Sequence, residues 1–146
     1  MHKKQNKVSI ALFSLNDPII SFYFLSNLLK EKNLYVDLVV VPRGYFKILT
    51  TLKIILMFFS LGFFKDIFLS LLRARSVSNL LKINNISVTY PKNINSSYMV
   101  SKLKDLEPDY LLSFNCPQKF SRQLLNVPKK KCINIHLGML PKYRGL

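Results

Sequence analysis

Cysteine is scarce in this 146-residue chain, which has two, Cys116 and Cys132. Neither belongs to a Cys-x-x-Cys pair or lies near a histidine at the spacing of metal ligands, which argues against a metal site. Both stand in apolar stretches, so the sequence predicts two buried free thiols. We therefore expect no bound metal.

Acidic residues are also few. The chain has 7 Asp and Glu residues and 22 Lys and Arg residues, which gives a formal net charge of +15. This balance suits a polyanionic partner: nucleic acid, a phosphorylated small molecule or an anionic membrane surface. The alternative is an AT-rich codon bias, which enriches Lys, Asn and Ile without any partner. A basic RNA-binding module is disfavoured, because the aromatic residues are mostly Phe inside apolar runs rather than stacking platforms.

The chain also lacks an internal repeat, a low-complexity linker and a recognisable signal peptide. Its basic start is followed by a short apolar run, residues 8–15, which Asn16, Asp17 and Pro18 interrupt without a small-residue cleavage site. We therefore predict one domain over residues 1–146 and a cytoplasmic location.

Residues 45–75 are predicted to form a long apolar helical insert that ends in a basic Arg-Ala-Arg. A membrane span needs about 20 apolar residues, a length that this segment approaches only with Lys53 inside it. Three interpretations stay open: an interfacial helix that contacts the inner face of the membrane, a helix packed on its own sheet or on a second subunit, and a true span. The first would make the protein peripheral at that membrane.

Apolar runs and helical periodicities alternate along the rest of the chain. Strands are predicted at residues 8–15, 34–41, 86–90, 110–114 and 132–136, and helices at residues 19–30, 98–106 and 118–125. A strand, helix and strand in succession require a right-handed crossover between parallel strands. The sequence therefore predicts an α/β fold, a Rossmann-like doubly wound and mostly parallel sheet.

The last predicted strand carries two polar residues where it runs into a loop. Asn134 and His136 lie on one face, because side chains of a strand repeat every second residue, and they stand at the carboxyl end where open α/β sheets bind ligands. The amide can donate to a developing oxyanion, and the imidazole can take or steer the proton of an attacking amine. The alternative is that Asn134 caps a turn and His136 is a hydrogen-bonded loop residue.

Residues 134–145, NIHLGMLPKYRG, closely resemble the signature of folate-dependent formyltransferases. In that signature Asn-x-His is followed by a small-residue step, Leu-Pro, a basic residue, an aromatic and Arg-Gly. The Pro108-Asp109 pair, the strand after it and a short helix ending in Val-Pro fit the same pattern. The resemblance covers residues 80–145 well and the first forty residues loosely, through fold pattern more than through motif.

The resemblance implies an enzyme, a one-carbon group transferase that moves a formyl group from 10-formyltetrahydrofolate to a primary amine. It implies that Asn134 binds the formyl oxygen and that His136 stabilises the tetrahedral intermediate and assists proton transfer. It also implies four cofactor-binding positions, Leu140, Pro141, Arg144 and Gly145. The family's third catalytic residue, an Asp, would fall beyond Leu146. We therefore expect a partial catalytic domain, incomplete at its carboxyl end and inactive alone, with its last strand left as a sheet edge.

The acceptor amine stays open at the level of sequence. An amino sugar or similar small amine ranks first, because the apolar, basic-flanked residues 45–75 suit a surface-glycan precursor made near a membrane. Methionyl-tRNA ranks second, favoured by the net charge. Glycinamide ribonucleotide ranks third, because the loop at residues 15–19 lacks the glycines that hold a phosphate. The rival from another class is a non-enzymatic, membrane-associated remnant.

Overall fold

The computed structural model describes residues 7–16, 20–43 and 80–136. Within these residues one sheet has the strand order β3-β2-β1-β4-β5, and every pairing in it is parallel. Residues 80–83 are helical. The other elements are β1 (Val8–Ser14), α1 (Ile20–Leu28), β2 (Leu34–Val40), β3 (Ser87–Thr89), α2 (Ser97–Leu106), β4 (Tyr110–Phe114), α3 (Arg122–Leu125) and β5 (Lys131–Ile135). The predicted doubly wound α/β fold is confirmed.

Helices cover both faces of the sheet. On one face, buried side chains such as Phe13 and Leu111 pack with Met99 and Leu103 of α2. On the other face, neighbouring strand residues pack with Leu25 of α1 and with residues 80–83. Because successive side chains of a strand point to opposite faces, strands covered on both sides are apolar throughout. This explains why β1, β2 and β4 are largely apolar, with Ser9, Asp37 and Ser113 as polar residues among them.

Strand β5 differs from its neighbours because it forms an edge of the sheet in the described part of the chain. Lys131, Ile133 and Asn134 are exposed, and Ile133 keeps 44% of its surface accessible. The expected sheet edge at the last strand is therefore present among the described residues.

Serine side chains begin both later helices. Ser96 accepts a hydrogen bond from the Met99 amide and so caps α2, as the polar loop before it predicts. Ser121 caps α3 in the same way through the Leu124 amide. The prediction that this second helix begins at residue 118 is wrong, because Phe120 turns inward and packs on Phe13 with 4.7 Å between ring centroids.

Ser9 joins three strands at the amino edge of the sheet. The register between β1 and β2 shifts after Ile10, which leaves Asp37 as an extra residue in β2. The Ser9 hydroxyl donates to this buried Asp37, and the Ser9 amide donates to Asp109 Oδ2 at 2.9 Å. A carboxylate at the start of β4 thus holds an amide of β1.

Asp109 gives this junction a pH dependence. The hydrogen bond from Ser9, with the charges of Lys130 and Lys129, lowers the pKa of Asp109 although desolvation opposes the shift. A carboxyl group whose pKa is lowered by folding stabilises the fold above its ordinary pKa of about 4, and this stability is lost as pH falls through the folded value. We expect Asp109→Asn to lower the urea midpoint at neutral pH and to flatten its decline in acid.

Glu107→Gln is the matched control for this prediction. Its carboxylate also has a lowered pKa, through the hydrogen bond and charge of Lys129 at 2.8 Å, but both side chains are more than half exposed. An exposed ion pair contributes little to stability, so this variant should follow the unsubstituted chain. Identical urea midpoints for Asp109→Asn and the unsubstituted chain between pH 3 and 7 would show that the junction does not matter.

The two cysteines depart from the sequence prediction. Both are free thiols, as predicted, but Cys116 and Cys132 are half-buried rather than buried. Burial raises the pKa of each thiol. Each lies beside the face that α2 covers, and neither is completely enclosed because Cys116 follows the end of β4 and Cys132 lies in an edge strand.

The predicted apolar insert at residues 45–75 lies outside the described residues, as does the predicted helix start at residues 17–19. Within residues 7–16, 20–43 and 80–136, no helix has both the length and the apolar character needed to cross a membrane. The predicted membrane contact therefore stays a prediction.

Candidate active site

The carboxyl ends of all five strands meet at one edge of the sheet, because every pairing is parallel. The strand order reverses between β1 and β4. The strands that follow β1 in the chain, β2 and β3, lie on one side of it, and β5 lies on the other side, beyond β4. In open α/β sheets, ligands bind in the crevice at such a switch point. Asn16 follows β1 there, and Asn115 follows β4.

Asn134 and His136 lie at this carboxyl edge. Asn134 is exposed in β5 and pairs in register with Ser113 of β4. Cys132 packs against the face that α2 covers, so the alternation of side chains places Asn134 on that same face. His136 is the first residue after β5 and is half-buried. An amide and an imidazole, the two groups that the sequence predicts for the site, are thus brought to one end of one strand.

The four predicted cofactor-binding residues, Leu140, Pro141, Arg144 and Gly145, lie outside the described residues. Their roles, and the catalytic roles of Asn134 and His136, stay predictions. Among the described residues, no group of three or more His, Cys, Asp or Glu side chains is arranged to hold a metal ion.

Two side-chain amides tie together the loops that follow β3 and β4. Gln118 accepts from the Ile94 amide at 2.9 Å and donates to the Lys92 carbonyl at 2.8 Å. Asn95 accepts from the Ser121 amide at 2.7 Å and donates to a carbonyl of the same loop at 2.9 Å. These bonds join two loops that leave the sheet at β3 and β4, which two other strands separate. We call this pair of amides the loop clasp.

The loop after β4 leaves the sheet through a left-handed residue. Asn115 has φ 53°, a conformation that asparagine adopts more readily than other residues with a Cβ. The chain then passes Cys116, whose thiol lies 3.7 Å from the Gln118 carbonyl, and reaches the clasp. Local turn chemistry and the clasp together fix this loop beside the candidate site.

We expect Gln118→Ala to lower the free energy of unfolding by about 1–3 kcal/mol, because it leaves the amide of the buried Ile94 without its acceptor. Chemical denaturation of the purified chain measures this loss. Gln123→Ala, which removes an exposed glutamine of α3, is the control and should change little. Equal free energies of unfolding for the two variants would show that the loop clasp does not stabilise the fold.

Sequence reasoning did not find the clasp. The sequence predicts a polar, helix-capping loop at residues 93–97 and a helix at residues 118–125, with no contact between them. The available signal was Ile94, an apolar residue between Asn93 and Asn95 whose side chain is fully buried in the structure. Which amide its backbone meets depends on a contact 24 residues away.

The fold and this edge define a doubly wound α/β protein with an amide and an imidazole at the carboxyl end of its sheet. The formyl transferase family model matches residues 69–146, more than half of the chain. The chain belongs to the formyl transferase family.

Individual relatives agree with this assignment. Methionyl-tRNA formyltransferase from Clostridioides difficile (strain 630) is 38% identical over 69 residues, 47% of this chain and 22% of that protein. The bifunctional polymyxin resistance protein ArnA from Wigglesworthia glossinidia brevipalpis is 37% identical over 81 residues, 56% of this chain and 12% of that protein. The matched segment thus spans 22% of the length of the first of these relatives and 12% of the second.

A solved structure shows the same fold. Phosphoribosylglycinamide formyltransferase from Bacillus halodurans superposes with a TM-score of 0.57 over 94% of this chain and 60% of that one. The sequence identity in this superposition is 16%, so the likeness concerns the fold.

Proposed function

We propose that this chain carries the amine-facing part of a formyl-transfer site and takes part in moving a formyl group from 10-formyltetrahydrofolate to a primary amine. The observation that carries the proposal is the position of Asn134 and His136 at the carboxyl edge, inside the segment that matches the family. Two of the similar proteins, one matched by sequence and one by fold, are themselves named as formyltransferases.

The two side chains fit the demands of this reaction. The folate would supply the formyl group, and the transfer exchanges the bond between the formyl carbon and the folate nitrogen for a bond between that carbon and the amine. Asn134 would donate its amide hydrogen to the formyl oxygen, where negative charge grows. His136 would accept a proton from the incoming amine and return one to the leaving nitrogen, so that charge balances across the step. Exposure of Asn134 keeps its amide accessible to a ligand.

The acceptor that we propose first is an amino sugar or similar small amine, and the relatives support methionyl-tRNA and the phosphoribosyl amine equally. Methionyl-tRNA formyltransferase, phosphoribosylglycinamide formyltransferase and the bifunctional polymyxin resistance protein ArnA all appear among the similar proteins. The loop after β1 still reads without glycine at residues 15–19. That composition favours an acceptor whose phosphate, if it has one, binds to residues other than 15–19.

The test is a transfer assay with the protein as its own cells make it. Formyl-labelled folate is supplied with one acceptor at a time: a nucleotide-linked amino sugar, methionyl-tRNA or glycinamide ribonucleotide. Label should move to one of these amines well above the others. No transfer to any primary amine, from a preparation that binds the folate, would refute the proposed function.

Residues 45–75 support a separate proposal, a peripheral contact with an anionic membrane. Their basic flanks would attract anionic headgroups and the apolar run would enter the interface. The chain should then sediment with anionic vesicles and be released by salt. If the chain does not sediment with the vesicles, residues 45–75 do not contact a membrane, and packing within the protein is the remaining interpretation.

A further inference from the structure

A cavity opens at the amino edge of the sheet, between the end of α2 and the starts of β1 and β2. Ser9 and Tyr35, the second residues of these two strands, line it together with Asp105 and Leu106, the last two residues of α2. Its volume of about 320 Å³ is at the lower limit of the roughly 300–1,000 Å³ of small-molecule sites. We call it the amino-edge cavity.

Two groups that line the amino-edge cavity can only accept hydrogen bonds from a ligand. The Ser9 hydroxyl donates its one proton to the buried Asp37, so its oxygen is left as an acceptor. Asp109, which also lines the cavity, accepts from the Ser9 amide at 2.9 Å, and an ionised carboxylate has no proton to donate. A ligand that satisfies both groups must therefore be a hydrogen-bond donor.

Charge around the cavity also favours a cation. Three carboxylates, Asp105, Glu107 and Asp109, line it with two lysines, Lys7 and Lys129. Lys129 lies 2.8 Å from Glu107, which offsets one charge of each sign. Within residues 7–16, 20–43 and 80–136, no ion pair includes Asp105. The lining is thus net negative, although the net charge of the whole chain is +15, and the last turn of α2 adds partial negative charge.

The rest of the lining is apolar or aromatic. Leu106 packs partly against the core, and Tyr35 keeps 38% of its surface exposed. Both offer surface to a short aliphatic chain, and the face of a tyrosine ring attracts a cation. The cavity therefore combines acceptors for an ammonium group with apolar surface for the carbon chain that carries it.

A metal ion is the less suitable cation. Among the described residues, no group of three or more His, Cys, Asp or Glu side chains is arranged to hold one. Hard divalent cations take six or more oxygen ligands, and neither Leu106 nor the carbons of the Tyr35 ring supply any.

We propose that the amino-edge cavity binds a small aliphatic amine through its protonated amino group. The ammonium group donates to the Asp109 carboxylate and the Ser9 hydroxyl, and the carbon chain lies against Leu106 and Tyr35. In a diamine, the second ammonium group approaches Asp105. The site is at the opposite edge of the sheet from Asn134, so an amine bound there is not the formyl acceptor.

The test is an NMR titration of the isotope-labelled chain with diaminobutane, butylamine and butanol, with no folate present. Salt is kept at about 0.15 M, where charges more than about 8 Å apart are largely screened and the net charge of the chain matters least. The amide signal of Ser9, whose acceptor is Asp109, should shift saturably with both amines. Butanol has a chain of the same length without the charge and should shift it little.

Three variants locate the ammonium groups. Asp109→Asn should weaken both amines about tenfold, because it removes the charged acceptor of the inner ammonium group. Asp105→Asn should weaken diaminobutane and leave butylamine unchanged, and because Asp105 is exposed the variant should fold normally. Glu31→Gln removes an exposed carboxylate that does not line the cavity, and it is the control that should bind both amines normally.

The proposal fails if neither amine produces a saturable shift, or if butanol binds as tightly as butylamine. It also fails if Asp105→Asn and Glu31→Gln bind diaminobutane with equal affinity, an outcome that decides the matter even when Asp109→Asn does not fold. Because the titration needs no formyl transfer, normal amine binding by a chain that transfers no formyl group would count against the proposed function alone.

Discussion

Substitution of Asn134 or His136 by alanine is expected to lower formyl transfer at least about a hundredfold in the protein as its own cells make it. Loss of an oxyanion donor removes stabilisation that exists only in the transition state, and loss of a proton acceptor removes general base catalysis. Transfer of labelled formyl groups to the amine gives kcat and KM. The loss should appear in kcat, because neither side chain is proposed to bind the acceptor in the ground state.

Stability must be unchanged for this loss to be informative. Asn134 is exposed in an edge strand, so its removal should leave the thermal midpoint within error. Asn126→Ala removes another exposed asparagine, at the end of α3 that precedes β5, and should keep full activity. Near-normal turnover in both Asn134→Ala and His136→Ala would end the catalytic assignment, whatever the fold.

The largest expected loss of stability follows from Phe13→Ala, at about 3–5 kcal/mol. Phe13 is fully buried in the central strand β1 and contacts the ring of Phe120 in the loop after β4. Its removal opens a cavity under that loop, and the loss is a large share of the 5–15 kcal/mol typical of a domain. Urea denaturation monitored by circular dichroism measures the change in the free energy of unfolding.

Two further variants sharpen this prediction. Tyr98→Ala removes an aromatic residue of α2 that is 66% exposed, so its free energy of unfolding should change by less than about 0.5 kcal/mol. Phe13→Leu keeps most of the buried volume and should cost less than alanine. If Phe13→Ala and Tyr98→Ala lose the same stability, the packing of β1 against the loop after β4 is wrong.

Strands enclosed by helices were predictable from the sequence. β4 occupies the predicted residues 110–114, because its apolar run is bounded by Pro108 and Asp109 on one side and by the left-handed Asn115 on the other. β1 ends at Ser14, one residue earlier than predicted, where the hydroxyl of Ser14 bonds the Ser21 hydroxyl of α1 at 3.0 Å. Apolar periodicity does not register such a polar contact.

Strand order and the loops of the carboxyl edge were beyond the sequence. Periodicity predicts that a residue is buried but does not say which strand lies beside it, so the order β3-β2-β1-β4-β5 had to come from the structure. The clasp of Asn95 and Gln118 joins residues more than 20 positions apart. The amide and imidazole of the candidate site were predictable because two residues of one strand share a face by local geometry alone.

The most direct test of the proposed site is a crystal structure of the whole protein with a folate analogue that carries a non-transferable carbonyl in place of the formyl group. The expected result places that carbonyl oxygen about 3 Å from Asn134 Nδ2, with His136 beside it at the carboxyl edge. A folate bound elsewhere, with Asn134 and His136 out of reach of its carbonyl, would contradict the assignment of this edge as the site of formyl transfer.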